Sequence, residues 1–245
     1  MQAYLRGELR DSFRIADELV DQAVARGVER ALAYGLANRA LSLVELGPPE
    51  EALDTVHRLE DLQDRDPDFP EEALIGDRFG LRALAEVRAG RPRTAVQFVD
   101  ELLERLSTPP TNYTSYPSFV APAEVYLTVW RESGFADRKL RSKARKALKL
   151  LNSYARVFPV GKPRLLRFQG VHDQLRGKTQ RARRNFQASV DEARRLGMRY
   201  EEARGLQELA AAPGGTDTDA DRHAAAAEAI LSELGVSVPA WREAA

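Results

Sequence analysis

The sequence predicts an all-α fold, a tetratricopeptide-like α-solenoid of about five to six antiparallel helix pairs. Three observations indicate it. Apolar residues recur at helical spacing, a glycine turn recurs about every forty residues, and no segment alternates apolar and polar residues as strands do. With 43% hydrophobic and 30% charged residues in 245 positions, the composition is that of a folded, helix-rich chain.

The turn glycines mark the repeat. They are Gly7, Gly47, Gly90, Gly134 and Gly177, at spacings of 40, 43, 44 and 43 residues. We expect each to end a helix in a left-handed or otherwise strained conformation, where a β-carbon would clash. In most units a small residue follows five positions later and allows two helices to approach closely: Ser12, Ala52, Ala95 and Ala182. After Gly134 the same offset falls on Lys139, so that unit departs from the pattern.

The last clear unit matches the tetratricopeptide pattern best, through Gly170, Gly177, Ala182 and Phe186. The units are longer than the consensus of about 34 residues. Because stacked helix pairs share one continuous core, we expect a right-handed array with a concave face.

We expect one helical-repeat domain over residues 1–245. Two sub-blocks, 1–107 and 116–235, are joined by the proline- and tyrosine-rich loop 107–118, where the prolines exclude helix. Residues 236–245 form a C-terminal tail. The absence of cysteine excludes disulfide and thiolate chemistry, and no apolar run approaches the roughly 18 residues of a membrane span. We therefore expect a cytoplasmic protein that does not contact the membrane.

Charge is distributed unevenly along the chain. Residues 131–184 hold 17 basic and 3 acidic side chains, whereas residues 1–130 have a net charge of −9 and residues 185–245 a net charge of −5. The candidate interaction surface in this basic segment comprises Arg138, Lys139, Arg141, Lys143, Arg145, Lys146, Lys149, Arg164, Arg167, Arg181 and Arg184. Three interpretations remain open: an ordinary solvated helix face, a site for an acidic protein or the chain's own acidic half, and a site for nucleic acid or nucleotide phosphate across 138–184.

Gly177-Lys178-Thr179 matches the end of a phosphate-binding loop, but the remainder of that motif is missing. His172 occupies the position of the first glycine, and the preceding segment has helical spacing rather than that of a strand. Gly177 is therefore interpreted as a repeat turn and Lys178 as a solvated side chain.

The remaining polar residues indicate no catalysis. His57, His172 and His223 fit no metal-ligand spacing, and His172 beside Asp173 is interpreted as a surface pair. No arrangement of a nucleophile and a base is evident. We therefore expect no catalytic, metal or cofactor residues and no enzyme activity.

Two other groups of residues have structural explanations. Glu201 and Glu202 fall in the first turn of a predicted helix, where they offset the helix dipole. Trp130 and Trp241 are expected to be packing residues.

Residues 154–210 carry a resemblance to a known family. The stretch "VFPVGKPR" at 157–164, then Gly170, Gly177 and Ala182, and "LGMRYEEA" at 196–203 resemble the C-terminal tetratricopeptide-like region of bacterial signalling ATPases, which often carry an adenylate–guanylate cyclase or serine/threonine kinase domain. The resemblance implies a regulatory role through binding of a protein or of another domain of the same polypeptide. Any cyclase, kinase or ATPase activity would belong to a fused domain, because those motifs are missing here.

Overall fold

The computed structural model describes residues 1–65, 72–106, 109–134 and 137–236, with the backbone alone for 72–75. Within these ranges the chain forms α-helices and two short 3-10 turns but no strand, which confirms the all-α prediction. The helices are α1 (Gln2–Arg6), α2 (Leu9–Arg26), α3 (Glu29–Leu46), α4 (Pro49–Arg65), α5 (Glu72–Arg88), α6 (Pro92–Arg105), α7 (Tyr116–Glu132), α8 (Arg138–Val157), α9 (Lys162–Gln174), α10 (Thr179–Leu196), α11 (Arg199–Ala211) and α12 (Asp217–Glu233).

Local sequence explains where these helices lie and end. In α6, Pro92 occupies the first turn, where its missing N–H has no helical partner, and Ala95, Val99 and Leu102 are buried at helical spacing. The turn glycines Gly47, Gly90, Gly134 and Gly177 have φ between 65° and 73°. This agrees with the predicted turn conformation, and glycine adopts it without the steric cost that a β-carbon would bring.

The structure divides into two units. The first comprises Met1–Tyr4 and Leu9–Val125. Within it, α2 and α3 are antiparallel: Ser42 near the end of α3 donates a 2.9 Å hydrogen bond to Ser12 near the start of α2, while Val20 packs on Gly35. Alternate helices also meet, since the Nε of Arg88 in α5 donates to the carbonyl of Val44 in α3 at 3.0 Å.

The described part of the second unit comprises residues 5–8, 126–134 and 137–236. Here the Phe186 ring of α10 packs on Gly170 of α9, where a β-carbon would lie 2.3 Å from the ring. Ser189 donates to the carbonyl of Pro163 at 2.7 Å, which makes α9 and α10 antiparallel neighbours. Val190 packs on Gly205 and joins α10 to α11 in the same way.

The prediction that residues 107–118 contain no helix is wrong for their second half. A 3-10 turn spans Tyr113–Ser115 and α7 begins at Tyr116. The prolines permit this, because Pro117 lies in the first turn of α7, where an N–H is not required. Residues 107–108, like residues 237–245 with Trp241 and nearly all of the predicted tail, lie outside the described residues.

The boundary between the units also differs from the predicted sub-blocks, since it falls inside α7, after Val125. The first half of α7 belongs to the first unit, where Ser118 donates to Asp77 of α5 at 2.8 Å. The second half belongs to the second unit, where Trp130 packs beside His172 of α9. Tertiary contacts rather than the proline loop therefore set the boundary.

Candidate anion-binding cleft

Helix α8 has a strongly basic exposed side. Its apolar residues Ala144, Ala147, Leu148 and Leu151 are buried along one face. Its other faces carry eight basic residues and no acidic one: Arg138, Lys139, Arg141, Lys143, Arg145, Lys146, Lys149 and Arg156. The helix begins after Asp137, whose carboxylate accepts the backbone N–H groups of Lys139 and Leu140. The sequence thus sets both the start of α8 and the side that it leaves to solvent.

Part of this basic side forms one wall of a cleft of about 370 Å³. Arg138, Arg141, Ser142 and Arg145 are spaced i, i+3, i+4 and i+7, which places them on one face of α8. His172 near the C-terminal end of α9 and Arg176 in the turn that follows complete the lining. Arg176 belongs to the basic segment, but the sequence does not distinguish it from its neighbours. The i, i+4 spacing of His172 and Arg176 is the only local signal for them.

The four cleft arginines are not neutralised by the protein around them. Among the described residues, no carboxylate lies within 4 Å of the guanidinium groups of Arg138, Arg141, Arg145 or Arg176. Other arginines of the same unit have such partners. Arg181 lies 2.8 Å from Asp173, and Arg195 lies 2.7 Å from Glu192. The cleft therefore carries an uncompensated positive charge.

His172 supplies a second unusual feature. Its side chain lines the cleft, the residue as a whole is 8% exposed, and its buried Nε2 atom has no hydrogen-bond partner among the described residues. Burial lowers the pKa of His172, and the positive charges of Arg176, Arg141 and Arg181 lower it further, against the opposing effect of Asp173. The imidazole is therefore neutral at pH 7, with a polar atom available to a ligand.

The sequence interpretation of His172 and Asp173 as a surface pair is wrong. Both side chains are buried, because they belong to the end of α9 that packs against α7 and α10. Trp130 is buried beside the imidazole at a ring-centroid distance of 5.6 Å, as expected of a packing residue. Asp173 also accepts a hydrogen bond from Asn185 at 3.0 Å.

The remaining candidate surface residues fall into two groups. Lys139, Lys146, Lys149 and Arg184 are exposed outside the cleft lining. Lys143 is half-buried, with its ammonium 5.3 Å from the ring centroid of Tyr126. Arg181 is exposed, but its guanidinium contacts Asp173.

Arg164 and Arg167 are buried, so the prediction that they belong to the candidate interaction surface is wrong. Their exposed fractions are 1% and 5%, because they lie on the face of α9 that packs against α11. Arg164 donates from Nε to Glu201 at 2.7 Å, while Arg167 lies 3.8 Å from both Glu201 and Glu208. Glu201 therefore neutralises buried arginines in addition to lying in the first turn of α11. Glu202 likewise accepts a 2.8 Å hydrogen bond from Arg194.

Other site types find no support in the described ranges. No group of three or more histidine, aspartate or glutamate side chains is arranged to hold a metal ion there. None of the helices in those ranges combines the length and apolar character that crossing a bilayer requires.

Comparison with known proteins yields a similarity of fold. No family model matches the sequence, and no curated protein matches it either. Among solved structures, the crystal structure of BtubC (BKLC) from P. vanneervenii is similar, with a TM-score of 0.59 and 14% sequence identity. The match covers 94% of this chain and 94% of BtubC. At this identity the likeness shows a shared all-helical fold.

Proposed function

We propose that this chain is a non-enzymatic helical-repeat scaffold, a tetratricopeptide-like solenoid whose α8 side binds an acidic segment of a protein partner or of another domain of the same polypeptide. The observation that carries the proposal is the basic side of α8. It bears no acidic residue, and no described carboxylate neutralises its cleft arginines. An exposed surface with so little compensation attracts an oppositely charged partner.

Contacts between alternate helices support the repeat architecture. Arg88 of α5 bonds to Val44 of α3, 44 residues earlier, and Glu201 of α11 bonds to Arg164 of α9, 37 residues earlier. Each separation is about one repeat length. In stacked helix pairs, the first helix of one pair meets the first helix of the next, which is the relationship that these contacts have.

The resemblance of residues 154–210 adds a biological context to the proposal. The chain would act as a cytoplasmic regulatory region associated with a larger ATPase, cyclase or kinase signalling protein. A helical array suits this role, because it presents a large, ordered surface and little entropy is lost when a partner binds.

A protein partner is favoured over nucleic acid. Proteins that bind single strands combine positive charge with aromatic side chains that stack on bases. Among the described residues, those that line the cleft include no Phe, Tyr or Trp, and Trp130 is buried beside His172. Two arginines of the original basic segment, Arg164 and Arg167, are also removed from the surface by burial.

The test measures the fluorescence anisotropy of a labelled glutamate-rich peptide titrated with the full chain at two ionic strengths. We expect saturable binding that weakens with salt and is abolished by Lys146→Glu/Lys149→Glu. The control variant Arg58→Glu/Arg65→Glu changes the same number of charges at exposed positions of α4 and should bind as the wild type does. Equal loss in both variants, or tighter binding of a single-stranded oligonucleotide, would contradict the proposal.

A further inference from the structure

We propose that the cleft between α8 and the end of α9 is a binding site for a phosphate monoester group. This inference rests on the proposed function, since the same basic side of α8 supplies the site, and it specifies the anionic group that the site recognises. The group can belong to a phosphorylated side chain of the partner or to a small phosphate ester, and the experiment below separates these sources.

The positive charge of the cleft suits a dianionic ligand. Arg138, Arg141, Arg145 and Arg176 bring four guanidinium groups to one cleft, and no described carboxylate lies within 4 Å of any of them. A carboxylate ligand offers one negative charge, whereas a phosphate monoester carries about −1.5 to −2 at pH 7. The dianion therefore matches the uncompensated charge of the cleft better than one carboxylate does.

The arrangement of the cleft arginines suits a group with several oxygen atoms. Arg138, Arg141 and Arg145 lie along one face of α8 at successive turns, so that their side chains extend from neighbouring positions. Arginine donates through a planar fork that binds phosphate oxygens in pairs, and a phosphate monoester has three such oxygens. Arg176 approaches from the turn after α9, which lets donors reach the same anion from two segments of the chain.

Polar groups at the buried end of the cleft also indicate a ligand. Ser142 adds a hydroxyl to the lining, and His172 adds a ring whose buried Nε2 has no partner in the part of the chain that the structure describes. Buried polar atoms are nearly always hydrogen-bonded, so an orphaned one that lines a charged cleft indicates a missing ligand. The nearby carboxylate of Asp173 does not oppose an anion strongly, because Arg181 and Asn185 already contact it.

The lining of the cleft is not suited to the organic part of a ligand. In the described part of the chain its lining consists of arginines, a serine and a histidine, without an aliphatic or large aromatic side chain. Ligand pockets that hold an organic body are lined mainly by apolar groups. A cleft of about 370 Å³ with this lining therefore recognises the anionic group rather than the molecule attached to it.

The experiment titrates the full chain with four labelled probes. Three are peptides of one acidic sequence with phosphoserine, serine or glutamate at the central position, and the fourth is a single-stranded oligonucleotide of equal length. Inorganic phosphate and free phosphoserine serve as competitors. We expect the phosphopeptide to bind about tenfold or more tightly than the glutamate peptide, because charge-assisted bidentate bonds are gained. Both competitors should displace it.

Matched variants locate the site. Arg141→Gln/Arg145→Gln should remove the preference for phosphate, and Arg141→Lys should reduce it although the charge is retained, since lysine cannot bind in the bidentate manner. Arg58→Gln/Arg65→Gln removes the same charge from exposed positions of α4, outside the basic side of α8, and should keep the preference. These positions are exposed, so we expect unchanged helicity and melting temperature.

The possible failures are distinguishable. Equal affinity for the phosphoserine and glutamate peptides would overturn this inference and leave the proposed function intact. Binding of inorganic phosphate and phosphoserine at the cleft, with no binding of any peptide, would overturn the proposed function and assign the site to a small phosphate ester. Preference for the oligonucleotide, or equal losses in the cleft and control variants, would overturn the site.

Discussion

Arg164 and Glu201 form a buried ion pair in the second unit, with the Nε of Arg164 2.7 Å from a carboxylate oxygen of Glu201. The pair joins α9 to α11 across 37 residues, and Arg167 lies beside the same carboxylate. Such a pair specifies how two helices fit together, because each charge is costly to bury without its partner.

The first prediction concerns this pair. Glu201→Ala leaves two buried guanidinium groups without their shared carboxylate, so we expect a loss of about 3–5 kcal/mol in the free energy of unfolding. Chemical denaturation followed by circular dichroism measures it. The double variant Arg164→Met/Glu201→Leu should be less destabilised than Glu201→Ala, because it replaces the charges with apolar groups. A single-variant loss below about 1 kcal/mol would show that the carboxylate is not needed in the interior.

The second prediction concerns the contact between Phe186 and Gly170. Phe186 is fully buried, and we expect Phe186→Ala to cost about 3–5 kcal/mol through lost burial and a cavity. Gly170→Ala should also destabilise the chain, since its β-carbon would lie 2.3 Å from the aromatic ring. When combined with Phe186→Ala, it should cost much less. Additive losses in a double-mutant cycle would mean that the two residues do not touch.

The third prediction concerns the end of α10. Gly197 has φ 66° and ψ 25°. Apart from its chain neighbours, no described residue has an atom within 4 Å of the position that a β-carbon would occupy. Gly197→Val should therefore lower stability by about 1–2 kcal/mol through backbone strain alone. Gly197→Asn should lose much less, because asparagine tolerates this conformation. Equal melting temperatures for the two variants would contradict the explanation.

The fourth prediction concerns pH. Asp77 is buried in the first unit, and burial raises its pKa from 3.8 to about 8, against the opposing hydrogen bonds from Ser118. The folded chain therefore holds a proton that the unfolded chain releases between these values. The contribution of Asp77 to stability is largest below pH 4, falls as the pH rises, and stops changing above about pH 8.

Asp77→Asn should remove this part of the pH dependence, since the amide does not titrate. Urea denaturation between pH 5 and pH 8, about the window in which the two pKa values differ, compares the two slopes. Parallel slopes for the wild type and the variant would show that Asp77 keeps an ordinary pKa in the folded chain.

The fifth prediction concerns His172. Burial and three neighbouring arginines lower its pKa below the ordinary value of 6.5. An anion bound in the cleft should raise that pKa, because it screens the arginines and favours the imidazolium. Titration of the imidazole carbon resonances with and without sulfate, which remains a dianion over this range, measures the change. A pKa that does not respond to sulfate would place the anion elsewhere.

Features of the fold that depend on neighbouring residues could be predicted from the sequence, whereas those that depend on distant contacts could not. Helical spacing and the turn glycines depend on residues within a few positions of one another, and these local patterns predicted the helices. The proline-rich loop 107–118 does not coincide with the boundary between the units. Its second half leads into α7, and the two halves of α7 belong to different units.

The sequence by itself therefore determined that the chain is helical, where α1, α3, α5, α7 and α9 end, and that an excess of positive charge lies between residues 131 and 184. Only the tertiary structure decided how that charge is used. Arg164 and Arg167 became buried partners of Glu201, whereas Arg138, Arg141 and Arg145 met His172 and Arg176 around a cleft. The reason is that burial depends on the rotation of each helix against neighbours distant in sequence, which local spacing does not specify.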